Sequence, residues 1–221
     1  MLPNFQNNCR PLIVDLGCGL GVSLLGLATT STSRVDERYG PSNLLEEIDY
    51  ESCNFLGADL SQLAIGYARG IGKRWGVNDK LQYSWASAEQ CLDMIDASYK
   101  GRVPLIMIQF PTPYRLVASK SYGNSQLPSD QDSGFMVSER LLRKISTILS
   151  RSGGKLLLQS NCEDVAVAMR HTAVERAGMR VIDWSPSHRV NSIDDESQTL
   201  RSMDWIRLGG ERAVGPGWLS T

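Results

Sequence analysis

Two acids and three glycines in this chain are spaced to hold a ligand. Asp15 opens the run Asp15-Leu16-Gly17-Cys18-Gly19-Leu20-Gly21, in which glycine recurs at every second position. Alternating glycines let the backbone turn sharply and bring the unpaired N–H groups of a following helix against a bound group. The segment before them, Leu12–Leu16, is short and apolar, and Leu24, Leu25, Leu27 and Ala28 follow at helical spacing. A buried parallel strand, a tight turn and a helix start are predicted, with a nucleotide-like cofactor at the turn. The same turn also serves a βα connection that holds nothing. The second acid, Asp59, ends an apolar segment over 54–58. There it is placed to accept from both ribose hydroxyls of a nucleoside lying across a sheet's switch point. It is equally placed to cap the next helix, a role open to Ser61 as well.

Further candidates stand at the ends of later strands. Residues 81–85 read as a third strand followed by Ser87 and Ala88, and 103–109 as a fourth, almost wholly apolar as a doubly covered strand should be. Gln109 ends it, and Phe110-Pro111-Thr112-Pro113-Tyr114 follows. Prolines at alternate positions continue neither a ladder nor a helix, so they fix an extended turn at the sheet's C-terminal edge, where open α/β sheets bind ligands. The elements that must position these residues are helices over 62–75, 135–149 and 163–177, with further strands over 155–159 and 179–184. Residues 29–54 are long for a helix-to-strand connection, usually about 2–6 residues, and read as an insertion with a short helix over 43–50. Residues 120–134 read as a polar loop beside the site, and 185–221 as a polar tail. One α/β domain over 1–221 is expected, a three-layer sandwich around a mostly parallel, doubly wound sheet.

Composition narrows the function. A chain of 221 residues with 42% hydrophobic and 21% charged residues builds a substantial core. Five cysteines without a C-x-x-C pair read as reduced thiols, with no metal site. No run approaches the roughly 20 apolar residues of a membrane span, and the N-terminus lacks a signal-peptide core. A soluble, intracellular, cytoplasmic protein is expected, or an organellar one after removal of a transit segment. Net charge is −1, so nucleic-acid binding would need a local basic face. Arg140, Arg143 and Lys144, at i, i+3 and i+4, share such a face, although this pattern also occurs as plain solvated surface.

Several pieces, taken in order, carry a family resemblance. D-x-G-x-G-x-G departs from the dinucleotide fingerprint G-x-G-x-x-G in its spacing and in the acid before the first glycine. It resembles the first motif of the Rossmann-like S-adenosylmethionine methyltransferases. N-F-L-G-A-D, the F-P-x-P-aromatic turn, L-L-R-K-I-S-T-I-L-S-R-S-G-G-K-L-L-L-Q-S-N and C-E-D-V-A-V-A-M resemble, over residues 12–184, the tRNA (guanine-N7) methyltransferases. The resemblance implies a Rossmann-like methyltransferase fold, S-adenosylmethionine as cofactor, tRNA as partner and methyl transfer to guanine N7. It implies cofactor contacts at Asp15, Gly17, Gly19, Gly21, Asp59, Ser87, Ala88 and Gln109. It also implies catalytic positions at Thr112 and Asn161, and substrate contacts at Tyr114, Arg115 and Thr199.

The departures from that pattern bear on the chemistry. Thr112 stands where the family has its catalytic Asp, Asn161 where an Asp contacts substrate, and Ser87 where an acid holds the adenine. The basic run after the proline turn is reduced to Arg115 and Lys120, and Thr199 aligns with the C-terminal substrate motif without its Glu. That motif otherwise lies beyond Thr221, in which case the chain is truncated. Guanine N7 has a lone pair and no proton, so it attacks a sulfonium methyl without a general base, and catalysis rests on positioning. Replacing a carboxylate acceptor by a neutral one weakens guanine binding by roughly a kcal/mol or more per hydrogen bond. Two other readings follow: a methyltransferase of the same fold with a small-molecule or protein target, and an RNA- or cofactor-binding paralogue without turnover.

Overall fold

Apolar residues alternate in facing along the strands, and that alternation builds both sides of a single sheet. The structure is a computed structural model and describes residues 3–29, 48–111, 135–160 and 163–182. Within them, β1 (Leu12–Leu16), β2 (Asn54–Asp59), β3 (Leu81–Trp85), β4 (Leu105–Gln109) and β5 (Lys155–Gln159) pair in the order β3-β2-β1-β4-β5, each pair parallel. Parallel neighbours require crossovers, and helices lie in them. These are α1 (Val22–Thr29), α2 (Gln62–Arg74), α3 (Ala88–Ser98) and α4 (Glu139–Ser150), with α5 (Glu163–His171) after β5. Ile13, Phe55, Tyr83, Leu105 and Leu157 face one side, where Leu24 and Ala28 of α1 and Ile65 and Ala68 of α2 cover them. Val14, Leu56, Ile106 and Leu158 face the other, against Leu92 of α3, Leu141 and Ile145 of α4 and Val165 of α5. A strand covered on both faces has no polar side to show, and β1 is buried at all its positions. This is the three-layer, doubly wound, Rossmann-like arrangement expected from the sequence. Its direction reverses between β1 and β4, the switch point where such sheets bind ligands.

Element ends depart from expectation where a cap or an amide competes with apolar periodicity. α2 begins after Ser61, whose hydroxyl accepts from Ala64 N–H at 3.2 Å, as expected. α4 begins at Glu139 rather than at 135, because Ser138, extended and accepting from Leu141 N–H at 3.2 Å, caps it. β4 begins at Leu105 rather than 103; Pro104 has no N–H to give a ladder. The helix expected over 163–177 is α5 followed by a π-type turn, Thr172–Arg176, in which Ala177 N–H reaches Thr172 O at 3.1 Å. The described part of the expected sixth strand, 179–182, is not a strand. Gly178 turns left-handed (φ 66°) and Met179 N–H donates to Ala173 O at 3.0 Å, so that amide closes the helix instead of a ladder. Of the expected insertion, Thr29 belongs to α1 and Asn54 to β2, and the described residues between them, 48–53, hold a single 3-10 turn, Tyr50–Ser52, capped by Asp49. The expected helix over 43–50 otherwise lies outside the described residues, as do 120–134 and the tail.

Candidate functional site

The chain leaves β1 at the switch point and turns immediately. Gly17 and Cys18 both donate their N–H to Ala58 O of β2, at 2.8 and 3.1 Å, and Gly21 N–H donates to Cys18 O at 2.9 Å. The three glycines are left-handed, with φ of 80°, 52° and 75°, a conformation that costs other residues about 1–2 kcal/mol. Space constrains the turn as firmly as φ does. A Cβ on Gly21 would lie 2.4 Å from the Tyr83 ring, and one on Gly57 of β2 would lie 2.6 Å from it. Tyr83 is buried, and its hydroxyl donates to Gly21 O at 2.7 Å. Tyr83 therefore pins the end of the loop, and Gly57 makes the room for it. A Cβ on Gly19, in contrast, would meet nothing within 4 Å, so the loop has open space at its middle glycine.

Both acids meet at this loop. Asp59 accepts from Gly19 N–H through Oδ2 at 2.9 Å and from Ser61 N–H through Oδ1 at 2.7 Å. It thus ties the loop to the end of β2 and helps enter α2, and each oxygen keeps a lone pair for a further donor. Asp15 is 2% exposed, and its Oδ1 has no hydrogen-bond partner among the described residues. Burial, and after it the charge of Asp59, raise its pKa from 3.8 to about 7. A buried polar atom left unpaired costs about 1–3 kcal/mol, so the site suits a ligand that brings a donor, best a cationic one. Cys18 beside it is held as a thiol: burial first, then Asp15 and Asp59, push its pKa far up, which removes it as a nucleophile.

The remaining sequence candidates divide into those the sheet edge collects and those beyond description. Ser87 caps α3 in a capping box, its hydroxyl accepting from Gln90 N–H at 3.2 Å and its own N–H donating to Gln90 Oε1 at 3.0 Å. Its hydroxyl proton has no acceptor among the described residues, whereas its amide is spent on Gln90. Ala88 is the first residue of α3 and packs on the core. Gln109 ends β4, and its Oε1 accepts from Ser23 Oγ at 3.4 Å, which links β4 to the first turn of α1. Thr112, Tyr114, Arg115, Asn161 and Thr199 lie outside the described residues.

Some site residues escape sequence reasoning. Phe110 has φ 51°, an outlier for a bulky residue, and its N–H donates to Gln159 O at 2.7 Å. Leu60 and Trp85 are exposed at 71% and 59%, and Trp85 Nε1–H donates to Leu60 O at 2.9 Å, forming an apolar flank beside Asp59. The role of Tyr83 has one visible signal, Gly57, since a glycine inside a strand marks a close approach.

The basic helix face resolves differently from its spacing. Arg140 pairs with Glu89 of α3 at 2.7 Å, Lys144 with Asp93 of α3 at 2.5 Å, and Arg143 with Glu139 at 2.8 Å. Arg151 pairs with Asp96 in the same seam. The Arg140, Lys144 and Arg151 pairs stitch α3 to α4 and the residue that follows it, the Arg143 pair lies within α4, and together they leave little net positive potential for a polyanion. Among the described residues no group of three or more His, Cys, Asp or Glu is placed to hold a metal, and no helix is long and apolar enough to cross a membrane.

No family model and no curated protein matches the sequence. Solved structures of similar fold include coclaurine N-methyltransferase bound to N-methylheliamine and S-adenosylhomocysteine, at 17% identity and TM-score 0.41, over 70% of this chain and 31% of that one. A SAM-dependent methyltransferase from Agrobacterium tumefaciens gives 17% and 0.48, over 77% and 45%. Precorrin-6y C5,15-methyltransferase from Geobacter metallireducens gives 14% and 0.48, over 80% and 67%. The chain thus spans about a third of the first of these and under half of the second. Likenesses this low carry nothing about reaction or substrate.

Proposed function

We propose that the chain is a single-domain S-adenosylmethionine-dependent methyltransferase. The observation that carries this reading is Asp15 Oδ1, buried without a partner under a left-handed glycine turn that Asp59 ties to β2. Asp15 would take the cofactor's ammonium, Asp59 its ribose hydroxyls, and Ser87 with Ala88 the adenine, with Leu60 and Trp85 as the apolar flank. Gly19 keeps a side chain out of the open space the cofactor needs, Gly17 and Gly21 give the turn its left-handed course, and Gln109 stands at the end of β4 beside them. When bound, that cofactor supplies a methyl group activated on a sulfonium.

The finer reading is transfer to guanine N7 of tRNA, supported by the F-P-x-P-aromatic sequence in its slot after β4. Thr112 and Asn161 would face the base, and Tyr114, Arg115 and Thr199 would hold the RNA. No proton need be removed from N7, so these neutral side chains have only to orient the ring. The ion-paired state of Arg140, Arg143 and Lys144 favours the second reading, a small-molecule or protein target on the same fold. The test is transfer of labelled methyl from S-adenosylmethionine to tRNA lacking N7-methylguanosine, with nucleoside analysis. Label in N7-methylguanosine is expected. No label, from chain shown to bind S-adenosylhomocysteine, moves the assignment to another target or to a non-catalytic paralogue.

A further inference from the structure

Four titratable groups gather at the glycine loop: Asp15 on β1, Cys18 in the loop itself, Asp59 at the end of β2 and Tyr83 on β3. They act on one another: Asp59 on Asp15, both acids on Cys18, and Cys18 and Asp15 on Tyr83. From α3 the group adds Cys91, a buried thiol that acts on Cys18, and from β4 the uncharged Met107 registers opposite Asp15. Arg69 of α2 donates its guanidinium to Tyr83 O at 2.8 and 3.0 Å, and it is not among the groups that shift Asp15. Two donors at the loop are spent on other acceptors. The Tyr83 hydroxyl proton goes to Gly21 O, and the Gly19 amide goes to Asp59. Asp15 Oδ1 is therefore buried, unpartnered and exposed to negative charge alone among the described residues.

We infer that Asp15 carries a proton in the ligand-free protein and that an incoming ligand ammonium displaces it, so that cofactor binding releases a proton to solvent. This deepens the methyltransferase reading and rests on it, since the cofactor is what brings the ammonium. An ammonium has donors and no acceptor, so it stabilises the ionised carboxylate and depresses its pKa. The bond that breaks is the Asp15 O–H; the contact that replaces it is N–H to carboxylate oxygen. Affinity for such a ligand then rises with pH, by up to about tenfold per unit below neutrality, and levels off above it.

Titration calorimetry of the full chain with S-adenosylhomocysteine, in two buffers of different ionisation heat, reads the released protons directly. Nearly one proton per ligand is expected at about pH 6 and nearly none above about pH 8. 5′-Methylthioadenosine, which keeps the nucleoside and thioether but has no ammonium, should bind without release. Asp15→Asn should bind S-adenosylhomocysteine more weakly and without release. Asp59→Asn removes the like charge and should move the half-release point to lower pH, whereas a purely structural role for Asp59 would leave that point in place. Binding of S-adenosylhomocysteine at about pH 6 with no buffer-dependent heat, or equal release from Asp15→Asn, overturns the inference while the cofactor reading stands. Absence of binding by either nucleoside at every pH overturns the cofactor reading itself.

Discussion

Burying Asp15 without a donor for Oδ1 means that the folded chain holds a proton the unfolded chain has lost, over the interval from about pH 4 to about pH 7. Where the folded state binds more protons, stability falls as pH rises, so this group costs stability that is fully lost above about pH 7. Asp15→Asn should accordingly be more resistant to thermal unfolding than the parent above pH 7 without ligand, by on the order of a few kcal/mol. The difference should vanish below about pH 4; a variant less stable at high pH would mean that Oδ1 has a donor after all. Phe110 is strained in its backbone, held left-handed just past the end of β4 while 40% exposed. Asn tolerates that conformation, so Phe110→Asn should leave the unfolding free energy from denaturant titration within about 1 kcal/mol of the parent, relief of about 1–2 kcal/mol offsetting the lost apolar contact. Phe110→Val, β-branched in the same conformation, should cost more.

At the scale of elements, the loop between β1 and α1 is set by its neighbours in the sheet. Gly57 on β2 lies where a Cβ would meet the Tyr83 ring at 2.6 Å and Cys18 Sγ at 2.7 Å, and neither neighbour is a loose side-chain end. Gly57→Ala should cost about 1–3 kcal/mol by overpacking. Combining it with Tyr83→Leu should recover part of that, and the double-mutant cycle measures the coupling. Strict additivity would mean that the two residues do not compete for space. Much of this layer was legible beforehand. The strands β1, β2, β3 and β5 and the helix α2 announce themselves by apolar period, and Ser61 by its place before a helical pattern. What was not legible is where periodicity loses to a competing hydrogen bond. Ser138 takes the start of α4 from Phe135, and Met179 spends on Ala173 the amide that a sixth strand would have needed.

For the whole molecule, charge distribution decides which partners are open to it. Arg140, Arg143 and Lys144 read from spacing alone as a basic face, yet each faces an acid of α3 or of its own helix. Exposed pairs of this kind contribute about 0–1 kcal/mol each, so they bind α3 to α4 only loosely, but they cancel the field a polyanion would feel. Changing all three to Gln should leave tRNA affinity within about twofold and its salt dependence unaltered. A tenfold loss would show that the pairs open to receive RNA. The cofactor reading has a whole-molecule signature too: S-adenosylhomocysteine at about 100 times its Kd should stabilise the fold by about 2.7 kcal/mol, seen as a raised unfolding midpoint.

By itself the sequence determined the doubly wound α/β architecture, the glycine turn and the placing of Asp15 and Asp59 at strand ends, because each is written in local spacing: short apolar runs, alternating glycines, an acid closing a strand. The tertiary structure alone decided that Tyr83 pins Gly21 across the sheet, that Asp59 closes on Gly19, that Asp15 Oδ1 is left buried without a donor among the described residues and that the basic helix face is spent on acids of α3 and of its own helix. Those outcomes depend on which residues of distant segments arrive within hydrogen-bond or van der Waals reach, and one-dimensional spacing does not encode that distance.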